Sequence, residues 1–200
     1  MSDLFDNKAA DWDAGELKQK LSQAIGSAIV KQLPLNHEMS VMDFGAGTGL
    51  ICAHVAPHVK KIVAVDISPA MLAKLAEKPE LQGKVTTACQ DILEQPLSER
   101  FDLIVSAMAM HHVEQTDTML QSFANHLNTG GVIALADLDK EDGSFHPADV
   151  AGVYHDGFER SALQKSLENH GFADIQFQTA LTITKESKSY PIFLLTGIKI

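Results

Sequence analysis

Five short apolar runs, at residues 41–44, 62–66, 84–89, 101–106 and 132–137, are separated by stretches with helical periodicity. Most of these runs are continuously apolar, as expected of strands buried on both faces. The intervening segments carry helix signals. Residues 48–58 follow a glycine turn, and Ser68-Pro69 is a cap-plus-proline start for Met71, Leu72 and Leu75. Asp117 opens a stretch with Leu120, Phe123, Ala124 and Leu127 on one face, stopped at Asn128-Thr129-Gly130-Gly131. Strands alternating with helices predict a parallel sheet joined by right-handed crossovers.

The ends of the chain depart from this alternation. Leu17, Leu21, Ile25 and Ile29 recur every four residues before Leu33-Pro34, which predicts an amphipathic helix stopped by the proline. Residues 91–100 are too short and irregular for a helix and read as a crossover made by a plain loop or a single turn. After a helix over 159–169, ended by Gly171, residues Ile175, Phe177, Leu181 and Ile183 alternate with polar neighbours. A polar turn at 185–189 then leads into 190–200, which predicts an antiparallel hairpin. The expected fold class is α/β, a Rossmann-like doubly wound, mostly parallel seven-stranded sheet ending in an antiparallel C-terminal hairpin. One domain over 1–200 is expected, with 1–35 as the N-terminal part and 36–200 as the Rossmann-like core.

Charge and cysteine usage narrow the functional classes. Against 26 acids stand 16 Lys and Arg, for a net charge of −10, so a polyanion is repelled on average and no nucleic-acid partner is expected. A hydrophobic content of 45% suffices for one sizeable core. Cys52 and Cys89 show no disulfide-framework spacing, and residues 1–12 lack the basic start and apolar stretch of a secretion signal. A cytoplasmic protein with reduced thiols is the expectation. No apolar run approaches the roughly 20 residues needed to cross a bilayer, so no membrane partner is expected.

Asp43-Phe44-Gly45-Ala46-Gly47-Thr48-Gly49 stands where the first apolar run meets a helix, and Asp66 closes the next run. A glycine turn packs a ligand against bare backbone, and an acid at the following strand end accepts ribose hydroxyls. A dinucleotide site would carry a further glycine where Leu50 stands. Asp43 would also repel a pyrophosphate, whereas it suits a ligand bearing an ammonium group. A nicotinamide-dependent oxidoreductase is therefore the disfavoured nucleotide reading.

Residues 43–49 resemble the first motif of class I S-adenosylmethionine-dependent methyltransferases, and Val63-Ala64-Val65-Asp66-Ile67-Ser68-Pro69-Ala70-Met71-Leu72 is similar to that family's second. Gln90-Asp91-Ile92 resembles its adenine-binding step and Phe101-Asp102-Leu103-Ile104-Val105-Ser106 its fourth-strand motif. Leu127-Asn128-Thr129-Gly130-Gly131-Val132 matches the turn before the fifth strand, and Phe5-Asp6-Asn7-Lys8-Ala9-Ala10-Asp11-Trp12-Asp13 resembles the lid segment. The resemblance implies S-adenosyl-L-methionine as cofactor and S-adenosyl-L-homocysteine as product. It places Asp66 on the ribose, Ile67 on the adenine, Asp91 with Ile92 at the adenine amine, and Trp12 over the methionyl end. Asp43, Gly45, Ala46, Gly47, Gly49, Met71, Ser106 and Met108 complete the cofactor-binding set.

The implied chemistry is in-line attack on a sulfonium methyl, which requires no metal and needs a base only if the acceptor must lose a proton. His111 and His155 are the candidate catalytic groups, since imidazole titrates near neutrality. His111, His112, Phe145, Tyr154 and His155 form the candidate acceptor pocket, which suits a small molecule. The run from Asp137 to Gly143 lacks the Gly and Glu positions of a calcium loop and reads as a solvated acidic loop over that pocket. A non-catalytic S-adenosylmethionine-binding module remains the alternative, and no pattern in the chain addresses oligomeric state.

Overall fold

A computed structural model describes residue 9, residues 11–147 and residues 150–200. Seven strands form one sheet: β1 (Ser40–Phe44), β2 (Lys61–Asp66), β3 (Val85–Cys89), β4 (Phe101–Ala107), β5 (Leu127–Leu138), β6 (Phe172–Lys185) and β7 (Lys188–Lys199). Their order across the sheet is β3-β2-β1-β4-β5-β7-β6. β1 to β5 pair in parallel, whereas β7 runs antiparallel to both β5 and β6. Among the described residues, five α-helices accompany the sheet: α1 (Glu16–Gln32), α2 (Leu50–Val55), α3 (Pro69–Ala76), α4 (Thr116–His126) and α5 (Arg160–Asn169).

Continuous apolar strands supply side chains to both faces, because successive residues of a strand point opposite ways. Val41, Ile62, Leu103 and Ala134 pack with Ile25 and Ile29 of α1, Cys52 and Val55 of α2, and Leu72 and Leu75 of α3. Their immediate neighbours Met42, Val63, Ile104 and Ile133 face the other way, onto Met119 and Phe123 of α4 and Leu163 and Leu167 of α5. α3 starts at the expected cap, with the Met71 N–H donating to Ser68 Oγ at 3.3 Å. A bond of this kind contributes about 1 kcal/mol.

The differences from expectation have local causes. Leu17 is 45% exposed, because α1 turns only its Leu21–Ile25–Ile29 stripe to the core. The α2 region ends in a 3-10 turn at Ala56–His58, where Pro57 lacks the N–H that a longer α-helix requires. Residues 128–131, read as a plain turn, join β5 as an irregularity: Leu127 pairs with Phe101 and Val132 with Leu103.

The chain winds from β1 through β2 to β3, then returns to place β4 on the other side of β1. This reversal opens a crevice beyond the carboxyl ends of β1 and β4, the usual ligand position in such sheets. α1 approaches α2 closely at Gly26, where an added Cβ would lie 2.3 Å from His54 Cγ and 2.7 Å from His54 Cβ. Gly26→Ala is expected to destabilise the protein by about 1–3 kcal/mol, overpacking outweighing the gain in helix propensity. Chemical denaturation measures this, and His54→Ala in the same background should recover only part of the loss, since the His54 Cβ at 2.7 Å remains. A more stable Gly26→Ala single variant would refute the close crossing.

Candidate active site

β1 ends in a turn whose backbone only glycine adopts readily: Gly45 and Gly47 have φ of +67° and +54°. The N–H groups of Gly45 and Ala46 both donate to the Val65 carbonyl, at 2.9 and 3.0 Å, which ties the turn to β2. A Cβ on Gly45 would lie 2.4 Å from Ala109 Cβ, so the turn and the end of β4 are in van der Waals contact. Around a Cβ on Gly47 nothing would lie within 4 Å, and the backbone there borders open volume. Asp66 is oriented by the same turn. The Gly47 N–H donates to Oδ2 at 2.7 Å, and the Ser68 N–H donates to Oδ1 at 2.9 Å.

These groups surround a cavity of about 570 Å³. Of the residues nominated from the sequence, Trp12, Asp43, Gly45, Ala46, Gly47, Asp66, Ile67, Met71, Asp91, Met108, His112 and Tyr154 border it. Ile67 is 64% exposed there, an apolar side chain left at the cavity beside Asp66. The remainder of the lid segment at residues 5–8, with Ala10, lies outside the described residues. Several wall residues carry no motif signal. Lys18 sits over the Trp12 ring with Nζ 3.0 Å from its centroid, and Leu21, Ser22 and Ile25 extend the same helical face into the cavity. Glu94, Glu114, Gln115 and Thr118 come from the loops and helix after β3 and β4.

Six nominated residues do not border the cavity, each for an identifiable reason. Gly49 starts α2, where a Cβ would meet Leu75 Cγ at 2.7 Å, so it serves helix packing. Ile92 is 1% exposed and belongs to the core, and Ser106 Oγ is turned back to donate to the Phe44 carbonyl at 2.9 Å. His111 and His112 are consecutive on the 3-10 turn Met110–His112, their ring centroids 4.1 Å apart. His111 is 1% exposed, with Nδ1 2.8 Å from Asp137 Oδ1, whereas His112 reaches the cavity. His155 uses Nε2 on the Val113 carbonyl at 2.8 Å, and Phe145 packs edge-on against Tyr190. Nor is the acidic run from the end of β5 solvated throughout: Asp137 is fully buried within β5 and Asp139 forms a bidentate pair with Arg160 at 2.7 Å, whereas Asp142 is exposed and pairs with Lys188.

The electrostatics of the walls are uneven. Asp43, Asp66, Asp91, Glu94 and Glu114 all border the cavity, facing Lys18. Asp43 is 1% exposed, and burial, opposed by a hydrogen bond from Cys52 and reinforced by the charge of Asp66, pushes its carboxyl up to about 7. Cys52 Sγ donates to Asp43 Oδ2 at 3.1 Å, and burial together with Asp43 raises the thiol well above its usual range. His112 is pushed the other way, to about 4, by burial and by neighbouring His111. Its Nδ1 lies 2.6 Å from the Gly152 carbonyl, which only accepts, so Nδ1 carries the proton of the neutral ring. Backbone strain also collects here: Met108 has φ of +56° while its N–H donates to the Ala136 carbonyl at 2.8 Å. Among the described residues no group of three or more His, Cys, Asp or Glu side chains is arranged to hold a metal ion.

Because Asp43 has a folded-state pKa raised above its ordinary value, its contribution to stability is fully present below pH about 4 and is lost as pH rises through about 7. Asp43→Asn should remove that dependence, so the variant's gain in Tm over the parent is largest at pH 8, smaller at pH 5 and absent at pH 4. Melting curves across this range check it; parallel Tm profiles for the two proteins would exclude the buried, titrating carboxyl.

A family model described as a methyltransferase domain matches residues 41–131. The chain is 30% identical over 155 residues to an uncharacterized methyltransferase of Schizosaccharomyces pombe, covering 69% of this chain and 55% of that one. It is 21% identical over 168 residues to malonyl-[acyl-carrier protein] O-methyltransferase of Bacillus anthracis, covering 82% and 59% respectively. The chain thus spans somewhat over half the length of these two relatives. Phosphoethanolamine N-methyltransferase 2 of Haemonchus contortus, solved with S-adenosyl-L-methionine, shares the fold with a TM-score of 0.72 at 16% identity, over 92% of this chain and 57% of that one. With the seven-stranded order, the glycine turn and the acid closing β2 in register, the chain belongs to the class I S-adenosylmethionine-dependent methyltransferase family.

Proposed function

We propose that the cavity binds S-adenosyl-L-methionine and that the protein transfers its methyl group to a small-molecule acceptor. One observation carries this reading: the Asp66 carboxylate, held by two backbone N–H groups, faces the same cavity as the bare backbone of Gly45 and Gly47. The donor set fits a nucleoside that carries an amino acid. Asp66 is placed for the ribose, exposed Ile67 and the nearby Asp91 for the adenine, and Asp43 for the ammonium group. An ammonium beside Asp43 favours its ionised form and offsets the desolvation that raises its pKa.

When bound, the cofactor supplies an activated sulfonium methyl. The chain's own residues then orient the acceptor and exclude water, the two contributions that in-line transfer demands. Met108, His112 and Tyr154 wall the end of the cavity nearest β4, and Trp12, from the turn before α1, borders it with Lys18 of α1. His112 takes the place that the sequence reading gave to His111 and His155. With a pKa of about 4 it is uncharged near neutrality, and with its proton on Nδ1 it offers Nε2 as a neutral hydrogen-bond acceptor in the wall. The predominance of carboxylates around the cavity opposes a polyanionic acceptor. The names of the relatives differ, one a malonyl-[acyl-carrier protein] O-methyltransferase and one a phosphoethanolamine N-methyltransferase, so the acceptor of this chain follows from its own walls.

Titration calorimetry with S-adenosyl-L-homocysteine tests the assignment. Asp66→Ala should weaken binding about 10–100-fold, the loss of hydrogen bonds to a charged group, and Asp66→Asn less. Stabilisation by NADH in place of S-adenosyl-L-homocysteine, or unchanged affinity in both variants, would overturn it.

A further inference from the structure

Trp12–Ala14 form a single 3-10 turn at the cavity wall, and none of the three residues is buried. Ala9, 5% exposed, precedes it, and the Trp12 N–H donates to the Ala9 carbonyl at a long 3.4 Å. A segment with so little buried apolar surface is held by polar bonds and belongs to the low-stability end of a fold. Asp13 provides those bonds. Its Oδ1 accepts from Thr48 Oγ1 at 2.5 Å, and its Oδ2 pairs with Lys78 Nζ at 2.6 Å. Its main-chain carbonyl also accepts from Gln19 Nε2 at 2.8 Å.

The two side-chain partners connect the turn to the elements that hold the proposed cofactor. Thr48, 2% exposed, lies in the glycine turn next to Gly47, whose N–H orients Asp66. Lys78 follows α3, which brings Met71 to the cavity, and its side chain is only 18% exposed. A charge-assisted bond in a partly buried setting is stronger than a surface ion pair. Asp13 itself does not border the cavity.

We propose that Asp13 is a positioning residue, a latch that holds Trp12 over the cavity by bridging Thr48 and Lys78 and so sets how fast the bound nucleoside leaves. The part about release rests on the cofactor assignment made above. Trp12 is the only tryptophan in the chain, so its emission follows the turn with no added label.

Two measurements separate the latch from the cofactor assignment. In ligand-free protein, acrylamide should quench Trp12 more strongly in Asp13→Ala than in the parent. In stopped flow, S-adenosyl-L-homocysteine should leave Asp13→Ala and Lys78→Ala about tenfold faster, with association changed much less. Combining Asp13→Lys with Lys78→Asp should slow release again relative to either reversal alone, a rescue that a merely structural role would not give. Thr48→Val, which removes one partner and conserves shape, serves if Asp13→Ala fails to melt cooperatively. Parent-like quenching and release in a folded Asp13→Ala overturn the latch. Stronger quenching in that variant, with no binding of S-adenosyl-L-homocysteine by the parent, upholds the latch and overturns the cofactor assignment.

Discussion

Burial of the sheet on both faces is the constraint from which the site follows. With α1, α2 and α3 covering one face and α4 and α5 the other, β1, β2, β4 and β5 have little room for polar chemistry along their length. Polar groups gather where the strands end. The reversal of winding at β1 makes the carboxyl edge of β1 and β4 concave, and Asp43, Asp66, Gly47, Met108 and His112 meet there. The bond from Gly47 N–H to Asp66 Oδ2 joins neighbouring strand ends into one surface. Without it, the acid closing β2 would be only a solvated strand cap.

The parts of this arrangement that are local in sequence were legible in advance. Apolar runs gave the strands, Ser68-Pro69 gave the start of α3, and the alternation after Gly171 gave the hairpin, because each depends on neighbours within a few residues. The glycine turn and Asp66 were legible for the same reason. What escaped was side-chain direction within short irregular turns. His111 and His112 differ by one position on a 3-10 turn, and that step sends one to Asp137 and the other to the cavity. No periodicity of 2 or 3.6 residues applies to such a turn, so sequence pattern could not choose between them.

Long-range contacts were hidden as well. Lys18 and Ser22 belong to a helix whose apolar stripe explains its packing, and nothing local marks the two as cavity residues. The acidic run after β5 misled for a related reason. Composition suggests solvation, but Asp137 answers the His111 ring and Asp139 answers Arg160, partners on the adjacent turn and on α5. A charged residue on a loop is solvated only if no partner is folded onto it, which is a tertiary fact.

The unfavourable features of the fold concentrate at the same edge. Asp43 loses hydration in the core, Met108 holds a left-handed backbone, and several carboxylates share one cavity with Lys18. Backbone strain such as that at Met108 costs on the order of 1–3 kcal/mol and persists only where the surroundings enforce it. Here the enforcing partners are visible: Cys52 donates to Asp43, the Ala136 carbonyl fixes Met108, and Gly47 and Ser68 hold Asp66. A cationic ligand would relieve the carboxylates, whereas an apolar or anionic one would not. An edge that is destabilised by itself and stabilised by an ammonium- and sulfonium-bearing nucleoside is one in which binding and folding free energy are linked, so stability gained by neutralising these acids comes at the expense of the site.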